Sequence, residues 1–258
     1  MNVIAEAKDL SIYYEEKAVV RSAAFSLRAG ETLAIVGESG SGKSSILRAL
    51  MGLLPAGTAR MTGELFFAGR DMMKCSEEER RAVLGRGMTM IFQNAGASFC
   101  PIRTVETQLY EAVCAHEKIA RSAFRARAAA LMEEIGLVPS VLGAYPFELS
   151  GGMAQRVGIL AAMLLRPRLL LADEPTSSLD GETEEQVMDM LLRLKEAYSL
   201  SIMLVTHNMD VARRMADRIL VMRAGRIVEE GTREQIFSAA QQAYTKKLIA
   251  AIPANWEG

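Results

Sequence analysis

The chain has 258 residues, half of them hydrophobic, and 30 Lys and Arg against 31 Asp and Glu leave a formal charge of -1. This length suits one large α/β domain, and a near-neutral charge without blocks of like charge disfavours nucleic acid as a partner. The cysteines Cys75, Cys100 and Cys114 have unrelated spacings, which suggests neither a disulfide framework nor a zinc ribbon, so we expect free thiols in a reducing compartment.

The N-terminal segment lacks the basic and apolar runs of a signal peptide. The longest apolar run, residues 157–165, stops at Arg166 and Pro167 and is too short to cross a bilayer. We therefore expect a soluble protein that neither spans a membrane nor is exported.

Apolar runs at the front of the chain predict three strands, at residues 9–14, 23–27 and 32–36. The third run leads into a glycine-rich loop. Residues 43–54 then carry apolar side chains at helical spacing and end at Pro55. The pattern is strand, loop, helix.

The glycine-rich loop fits the phosphate-loop pattern. Its residues are Gly37, Glu38, Ser39, Gly40, Ser41, Gly42, Lys43 and Ser44, followed by Ser45. Glycines let consecutive backbone N–H groups point at phosphates, Lys43 supplies charge to the β and γ phosphates, and the Ser44 hydroxyl ligates Mg²⁺. A plain glycine turn before a helix is the alternative, but the full pattern in this context predicts a site for Mg-ATP.

The middle of the chain changes character. Ser76 followed by Glu79 predicts a capping box at the start of a short helix, and residues 88–92 read as a buried strand. Helical segments then replace strands, at about 105–116, 120–135 and 151–165. We interpret residues 94–165 as an all-helical insert between two strands of a sheet.

Strands and helices alternate again after the insert. The predicted strands are 169–173 and 201–206, the helices 183–198 and 209–216, and a hairpin turns at Ala224 and Gly225 before a helical tail. Such alternation is typical of an α/β fold.

The strand at residues 169–173 ends in two acids, Asp173 and Glu174. A buried strand end would hold Asp173 rigidly, where it positions Mg²⁺, and would leave Glu174 facing the attacking water. The motif is weak by itself and strong together with the phosphate loop.

A second anion site is predicted at the helix that follows Ser150. This residue is a suitable N-cap, and Gly151 and Gly152 expose the first N–H groups of the helix. The alternative is that Ser150, Gly151 and Gly152 form a simple turn. Their position about twenty residues before the acidic strand favours the anion site.

Together these motifs resemble the nucleotide-binding subunit of ATP-binding-cassette (ABC) transporters over nearly the whole chain. The resemblance implies one domain over residues 1–258: a phosphate-loop NTPase with a mixed sheet core, an N-terminal antiparallel β subdomain, a helical subdomain at about 94–165 and a helical tail at about 232–258. It also implies that two subunits sandwich two ATP molecules. Ser150, Gly151 and Gly152 would then touch the γ-phosphate in the partner's site.

The resemblance gives further residues a role. Gln93 is similar to the glutamine that senses Mg²⁺ and the attacking water, and His207 to the switch histidine that contacts the γ-phosphate. Asp180 resembles the centre of the loop that carries communication between the two sites. Tyr14 resembles the aromatic that stacks on adenine, with Tyr13 as the alternative. Gln93, His207 and Tyr14 could instead be ordinary structural residues.

Two features resemble the peptide and nickel importer branch: Met153, where glutamine is usual, and Tyr244-Thr245, which is similar to a C-terminal His-Pro-Tyr-Thr motif. The implied partners are a second, homologous or identical ATPase subunit, two transmembrane permease subunits and, indirectly, an extracytoplasmic solute-binding protein, with no nucleic acid. The implied location is peripheral, on the cytoplasmic face of the inner membrane.

Other classes remain as alternatives. A non-transport ABC ATPase acting on nucleic acid or ribosomes is disfavoured by the charge and the absence of a long heptad segment. The Ser150 signature and His207 disfavour a kinase or GTPase. For the cargo, the chain continues only five residues beyond Pro253. This short tail resembles ATPases that import nickel or a metal chelate, so we expect that cargo, with di- or oligopeptides as the alternative.

Overall fold

The computed structural model describes residues 2–252. The strands are β1 (Val3–Tyr14), β2 (Lys17–Arg28), β3 (Thr32–Val36), β4 (Ala59–Phe67), β5 (Arg70–Asp71), β6 (Met88–Ile91), β7 (Leu169–Asp173), β8 (Ser201–Thr206), β9 (Arg218–Arg223) and β10 (Arg226–Thr232). The α-helices are α1 (Lys43–Met51), α2 (Glu77–Val83), α3 (Val105–Cys114), α4 (Arg121–Glu134), α5 (Gly151–Met163), α6 (Gly181–Tyr198), α7 (Met209–Met215), α8 (Arg233–Ala239) and α9 (Ala243–Ala250). These elements form two compact units, one of residues up to 80 together with those from 200 onward, the other of residues 81–199.

The first unit begins with an antiparallel sheet in the order β2-β1-β4-β5. Its inner face buries alternate residues such as Leu10, Ile12 and Leu27. Strand β4 has no counterpart among the elements expected from the sequence, because residues 59–64 are exposed or half-buried and show no buried alternation. Only Leu65 and Phe67 of this strand enter the core. The structure thus confirms the N-terminal antiparallel sheet and extends it.

A mixed sheet in the order β10-β9-β3-β8 completes the first unit. Strand β3 runs parallel to both β8 and β9, and β10 is antiparallel to β9. Every residue of β3 and β8 is buried, as expected for parallel strands covered on both faces. Val36 pairs with Thr206 on one side and with Val221 on the other. The residues that follow these three strands therefore share one edge of the sheet.

Helix α1 follows the loop after β3 and buries Ile46, Leu47 and Leu50. It ends at Met51 rather than at residue 54, because Gly52 adopts the left-handed conformation that terminates a helix. The end of the helix is closed by two backbone bonds from this glycine and the next residue.

The second unit contains the parallel pair β6 and β7, in which Ile91 lies opposite Ala172. Between residues 94 and 165 the described elements are all helical, and Phe124, Met132 and Leu160 fill their core. Helices α3, α4 and α5 end one or two residues earlier than their spacing predicts.

The predicted capping box before α2 is confirmed: the N–H of Ser76 donates to the Glu79 carboxylate at 2.9 Å, and the N–H of Glu79 donates to the Ser76 hydroxyl at 3.2 Å. At the other end of the chain, α8 and α9 form the described part of the predicted tail, whereas Pro253 and the residues up to Gly258 lie outside the described residues. None of the helices in residues 2–252 is both long and apolar enough to cross a bilayer.

Candidate functional site

The glycine-rich loop wraps around the ammonium group of Lys43, whose side chain is only 4% exposed. Its Nζ donates hydrogen bonds to the carbonyl oxygens of Gly37, at 2.7 Å, and Glu38, at 2.9 Å. A buried ammonium needs such acceptors, because leaving it without them in a low-dielectric site would be costly. The two carbonyls therefore fix the lysine within the loop.

The loop is also held from outside by backbone. A Cβ on Gly37 would lie 2.0 Å from the Met222 carbonyl oxygen, and one on Gly42 would lie 2.3 Å from that of Val19. The N–H of Gly225 donates to the Ser41 carbonyl at 3.1 Å. Strand β2 and the β9–β10 hairpin thus pack closely against the loop. Only glycine fits without strain at the two contact points, Gly37 and Gly42.

The loop also has the features of an anion site. The hydroxyl oxygen of Ser41 is buried and has no hydrogen-bond partner within residues 2–252. Helix α1 begins directly after Gly42, so the positive end of its dipole faces the same loop. An orphaned buried donor, a glycine cradle and a lysine ammonium together fit a phosphate group.

Two predicted residues of the first unit lie beside this loop. The Tyr14 hydroxyl is 3.4 Å from the Ser45 hydroxyl on α1, whereas the Tyr13 ring lies under the guanidinium of Arg60, 4.1 Å from the ring centroid. His207 is exposed and directly follows β8. Val36, the last residue of β3, pairs with Thr206, the last residue of β8. The loop begins directly after Val36, and His207 directly follows Thr206, so His207 lies next to the start of the loop.

The acidic pair belongs to the second unit, at the carboxyl end of β7. Asp173 is buried, and Glu174 is half-buried with a left-handed φ of 48°. Such a conformation is uncommon for a residue with a Cβ and costs about 1 kcal/mol or more. The Gln93 amide donates to the Glu174 carboxylate at 3.2 Å, so the structure brings these two predicted residues together.

Ser150 is the N-cap of α5, as predicted, and its hydroxyl accepts from the N–H of Met153 at 3.3 Å. A Cβ on Gly151 would meet nothing within 4 Å, whereas one on Gly152 would lie 3.0 Å from a methyl carbon of Thr183. At the N-terminus of α5, the space around Gly151 is therefore unobstructed, whereas Thr183 packs against Gly152.

Asp180 caps α6, which starts two residues before the predicted position at Thr183. The N–H and the hydroxyl of Thr183 both donate to the Asp180 carboxylate at 3.0 Å. These hydrogen bonds hold the pKa of Asp180 below its ordinary value. Asp180 therefore has a local structural role at the start of this helix.

Three supports of the loop have no counterpart in the sequence-based predictions: the carbonyls of Val19 and Met222, and the hydroxyl of Tyr244, which accepts from the N–H of Glu38 at 3.0 Å. The first two are backbone groups, so no side-chain pattern marks them. The third lies in the tail motif, whose resemblance to the His-Pro-Tyr-Thr motif implies no contact with the loop.

Comparisons with known proteins agree on one family. A family model described as ABC transporter matches residues 20–177. The oligopeptide transport ATP-binding protein OppD of Bacillus subtilis is 41% identical over 257 residues, which cover 97% of this chain and 72% of that protein. The peptidoglycan transport ATP-binding protein YejF of Agrobacterium fabrum is 40% identical over 257 residues, 97% of this chain, and the chain spans 47% of that protein's length.

Among solved structures, the chain is similar to the dimeric structure of a post-hydrolysis state of the ATP-binding cassette MJ0796 bound to ADP and Pi. The TM-score is 0.79 at 25% sequence identity, with 89% of this chain and 98% of that chain covered.

The glycine contacts predict unequal costs for the same substitution. Gly37→Ala forces a Cβ against the rigid Met222 carbonyl and should lower the free energy of unfolding by about 3 kcal/mol or more. Gly40 also has a positive φ, of 78°, but a Cβ there would meet nothing within 4 Å. Gly40→Ala is thus the matched control and should cost only about 1 kcal/mol. Urea denaturation of both variants measures the difference, and equal losses would contradict the contact.

Proposed function

The chain belongs to the ABC transporter family as an ATP-hydrolysing, ATP-binding subunit, and we propose on that premise that it is the motor that drives import of short peptides. The observation that carries the assignment of its nucleotide site is the buried Lys43 ammonium inside a glycine cradle. We propose that the loop from Gly37 to Ser45 holds the phosphates and that Tyr14 stacks on adenine. The contact of Tyr14 with Ser45, and the arginine on the face of Tyr13, favour Tyr14 over its neighbour.

We assign Mg²⁺ to oxygen donors of this chain. The Ser44 hydroxyl, the Gln93 amide oxygen and the Asp173 carboxylate would hold it, and hard oxygen ligands of this kind suit Mg²⁺. When bound with ATP, Mg²⁺ neutralises negative charge on the β and γ phosphates.

Hydrolysis is assigned to three side chains. Glu174 accepts a proton from the attacking water, because a carboxylate in hydrogen-bond reach of that water serves as a general base. The Gln93 amide, which donates to Glu174 at 3.2 Å, orients this carboxylate. His207 donates to the γ-phosphate, consistent with its exposed position directly after β8.

The active form is proposed to be a dimer of ATPase subunits, identical or homologous. Ser150, Gly151 and Gly152 would contact the γ-phosphate held by the partner subunit, with Asp180 in the loop that links the two sites. The exposed N-terminus of α5 supports this role, since free N–H groups and a helix dipole attract anions. The match to the dimeric cassette MJ0796 also supports it.

The remaining partners are proposed to be two transmembrane permease subunits and, indirectly, an extracytoplasmic solute-binding protein. The chain would then lie peripherally on the cytoplasmic face of the inner membrane. Relatives named for transport support this class over an ABC ATPase that acts on nucleic acid or ribosomes.

For the cargo, the relatives favour the peptide alternative over the expectation of nickel or a metal chelate. OppD is named for oligopeptide transport and YejF for peptidoglycan transport. The nickel expectation rests on the tail alone, and residues 253–258 lie outside those described. We therefore propose short peptides as the cargo and keep nickel as the alternative to be tested.

The assigned roles predict that substitution of Lys43 abolishes nucleotide binding, whereas substitution of Glu174 slows hydrolysis and leaves binding intact. Lys43→Ala should abolish nucleotide binding, because the phosphates lose their buried cation. Glu174→Gln should keep binding, hold the ATP-bound dimer and slow hydrolysis by about a hundredfold or more, since the amide cannot accept the proton. Nucleotide titration, size-exclusion chromatography and phosphate release measure these effects. The matched control is Glu196→Gln, an exposed change on α6 that should retain full activity. Wild-type turnover by Glu174→Gln would show that the base is wrongly assigned.

The cargo proposal predicts the phenotype of a strain that lacks this protein. Growth on di- and oligopeptides as nutrient should be lost, while accumulation of radiolabelled nickel should be unchanged with and without an added chelator. Re-expression of the wild-type chain should restore growth, and re-expression of the Lys43→Ala variant should not. Lost nickel accumulation with normal peptide use would contradict the peptide assignment and favour the metal alternative.

A further inference from the structure

Helix α9 contacts the phosphate loop through Tyr244. The hydroxyl of Tyr244 accepts a hydrogen bond from the backbone N–H of Glu38 at 3.0 Å, across 206 positions of sequence. The tyrosine is 8% exposed, and the Arg223 guanidinium lies over its ring, 4.8 Å from the centroid. Burial raises the pKa of Tyr244, so the phenol stays neutral at physiological pH.

This hydrogen bond acts on the same peptide group that holds the Lys43 ammonium. The carbonyl of Gly37 and the N–H of Glu38 are two ends of one planar peptide unit. Lys43 Nζ donates to the oxygen end at 2.7 Å, while Tyr244 accepts from the nitrogen end. Hydrogen bonds in series polarise one another, so each strengthens the other. The orientation of this one peptide plane thus depends on both side chains.

Helix α9 is itself fixed in place. The Glu229 carboxylate on β10 accepts from the N–H of Gln241 at 2.6 Å and from that of Gln242 at 3.1 Å, at the start of the helix. Desolvation raises the pKa of Glu229, but the hydrogen bonds from the backbone N–H groups of Gln241 and Gln242 lower it, and the net result is a pKa below its ordinary value. Thr245, the next residue after Tyr244, is fully buried. The tyrosine is therefore presented to the loop by an anchored element.

We propose that Tyr244 is a positioning residue for the phosphate loop: it fixes the Gly37–Glu38 peptide, whose carbonyl in turn sets the position of the Lys43 ammonium. This inference rests on the proposed role of the loop in binding ATP. It assigns to the Tyr244-Thr245 motif a role in supporting a loop that is far from it in sequence. By linkage, a bound nucleotide stabilises the docking of α9 as much as docked α9 stabilises the bound nucleotide.

The test compares two variants that each delete one tyrosine hydroxyl. Tyr244→Phe keeps the ring over which Arg223 lies and removes the acceptor of the Glu38 N–H. The matched control is Tyr198→Phe, which removes a hydroxyl that donates to the Glu134 carboxylate at 2.9 Å. Calorimetric titration of the full-length chain with Mg-ADP gives both a Kd and a stoichiometry for each protein.

Tyr244→Phe should raise the Kd for Mg-ADP about fivefold at unchanged stoichiometry, the equivalent of one lost hydrogen bond. Tyr198→Phe should bind like the wild type. Glu229→Ala, which loosens the start of α9, should weaken binding in the same direction. An unchanged Kd in Tyr244→Phe would overturn the proposal, and so would a reduced stoichiometry at unchanged Kd, which marks a merely structural residue. A wild-type chain that does not bind Mg-ADP would instead overturn the proposed function of the loop.

Discussion

The fold around the proposed nucleotide site depends on one interaction, the enclosure of a lysine ammonium by the backbone that precedes it. Lys43 can be 4% exposed only because the carbonyls of Gly37 and Glu38 accept from its Nζ. That geometry requires the chain to curl tightly between β3 and α1, and the curl requires glycine where a Cβ would strike neighbouring carbonyls. The arrangement also leaves the lysine charge inside a shell of fixed dipoles, which is how proteins preorganise a site for a phosphate group.

The elements that flank β3 serve this enclosure. Strands β8 and β9 run parallel to β3 and end at the same edge of the sheet. As a result, β8 places His207 beside the loop, and β9 places the Met222 carbonyl against Gly37. In the second unit, the candidate site residues are held by a different kind of contact. Glu174 occupies a strained left-handed conformation at the end of β7 while Gln93 holds its carboxylate. Strain of this kind persists where the surrounding structure fixes the residue, and it is common at catalytic positions.

The sequence predicts best the parts of the fold that local physics determines. Strands β3, β7 and β8 have the predicted bounds because each is a fully buried apolar run between polar ends. The N-cap at Ser150 follows from side-chain chemistry within one helical turn. Strand β4 carries no such local signal, since most of it is exposed or half-buried and its register comes from β1. The support of Glu38 by Tyr244 joins residues 206 positions apart, and no local pattern carries such a contact.

Contacts within the chain itself hold the phosphate loop around Lys43. Amide hydrogen exchange of the nucleotide-free protein, resolved at the backbone N–H of Glu38, measures this directly. Since that N–H donates to the buried Tyr244 hydroxyl, it should exchange far more slowly than in an unstructured chain, with little added protection from Mg-ADP. Exchange at the unprotected rate in the free protein, with protection only after Mg-ADP is added, would show that the nucleotide forms the loop and would contradict the account.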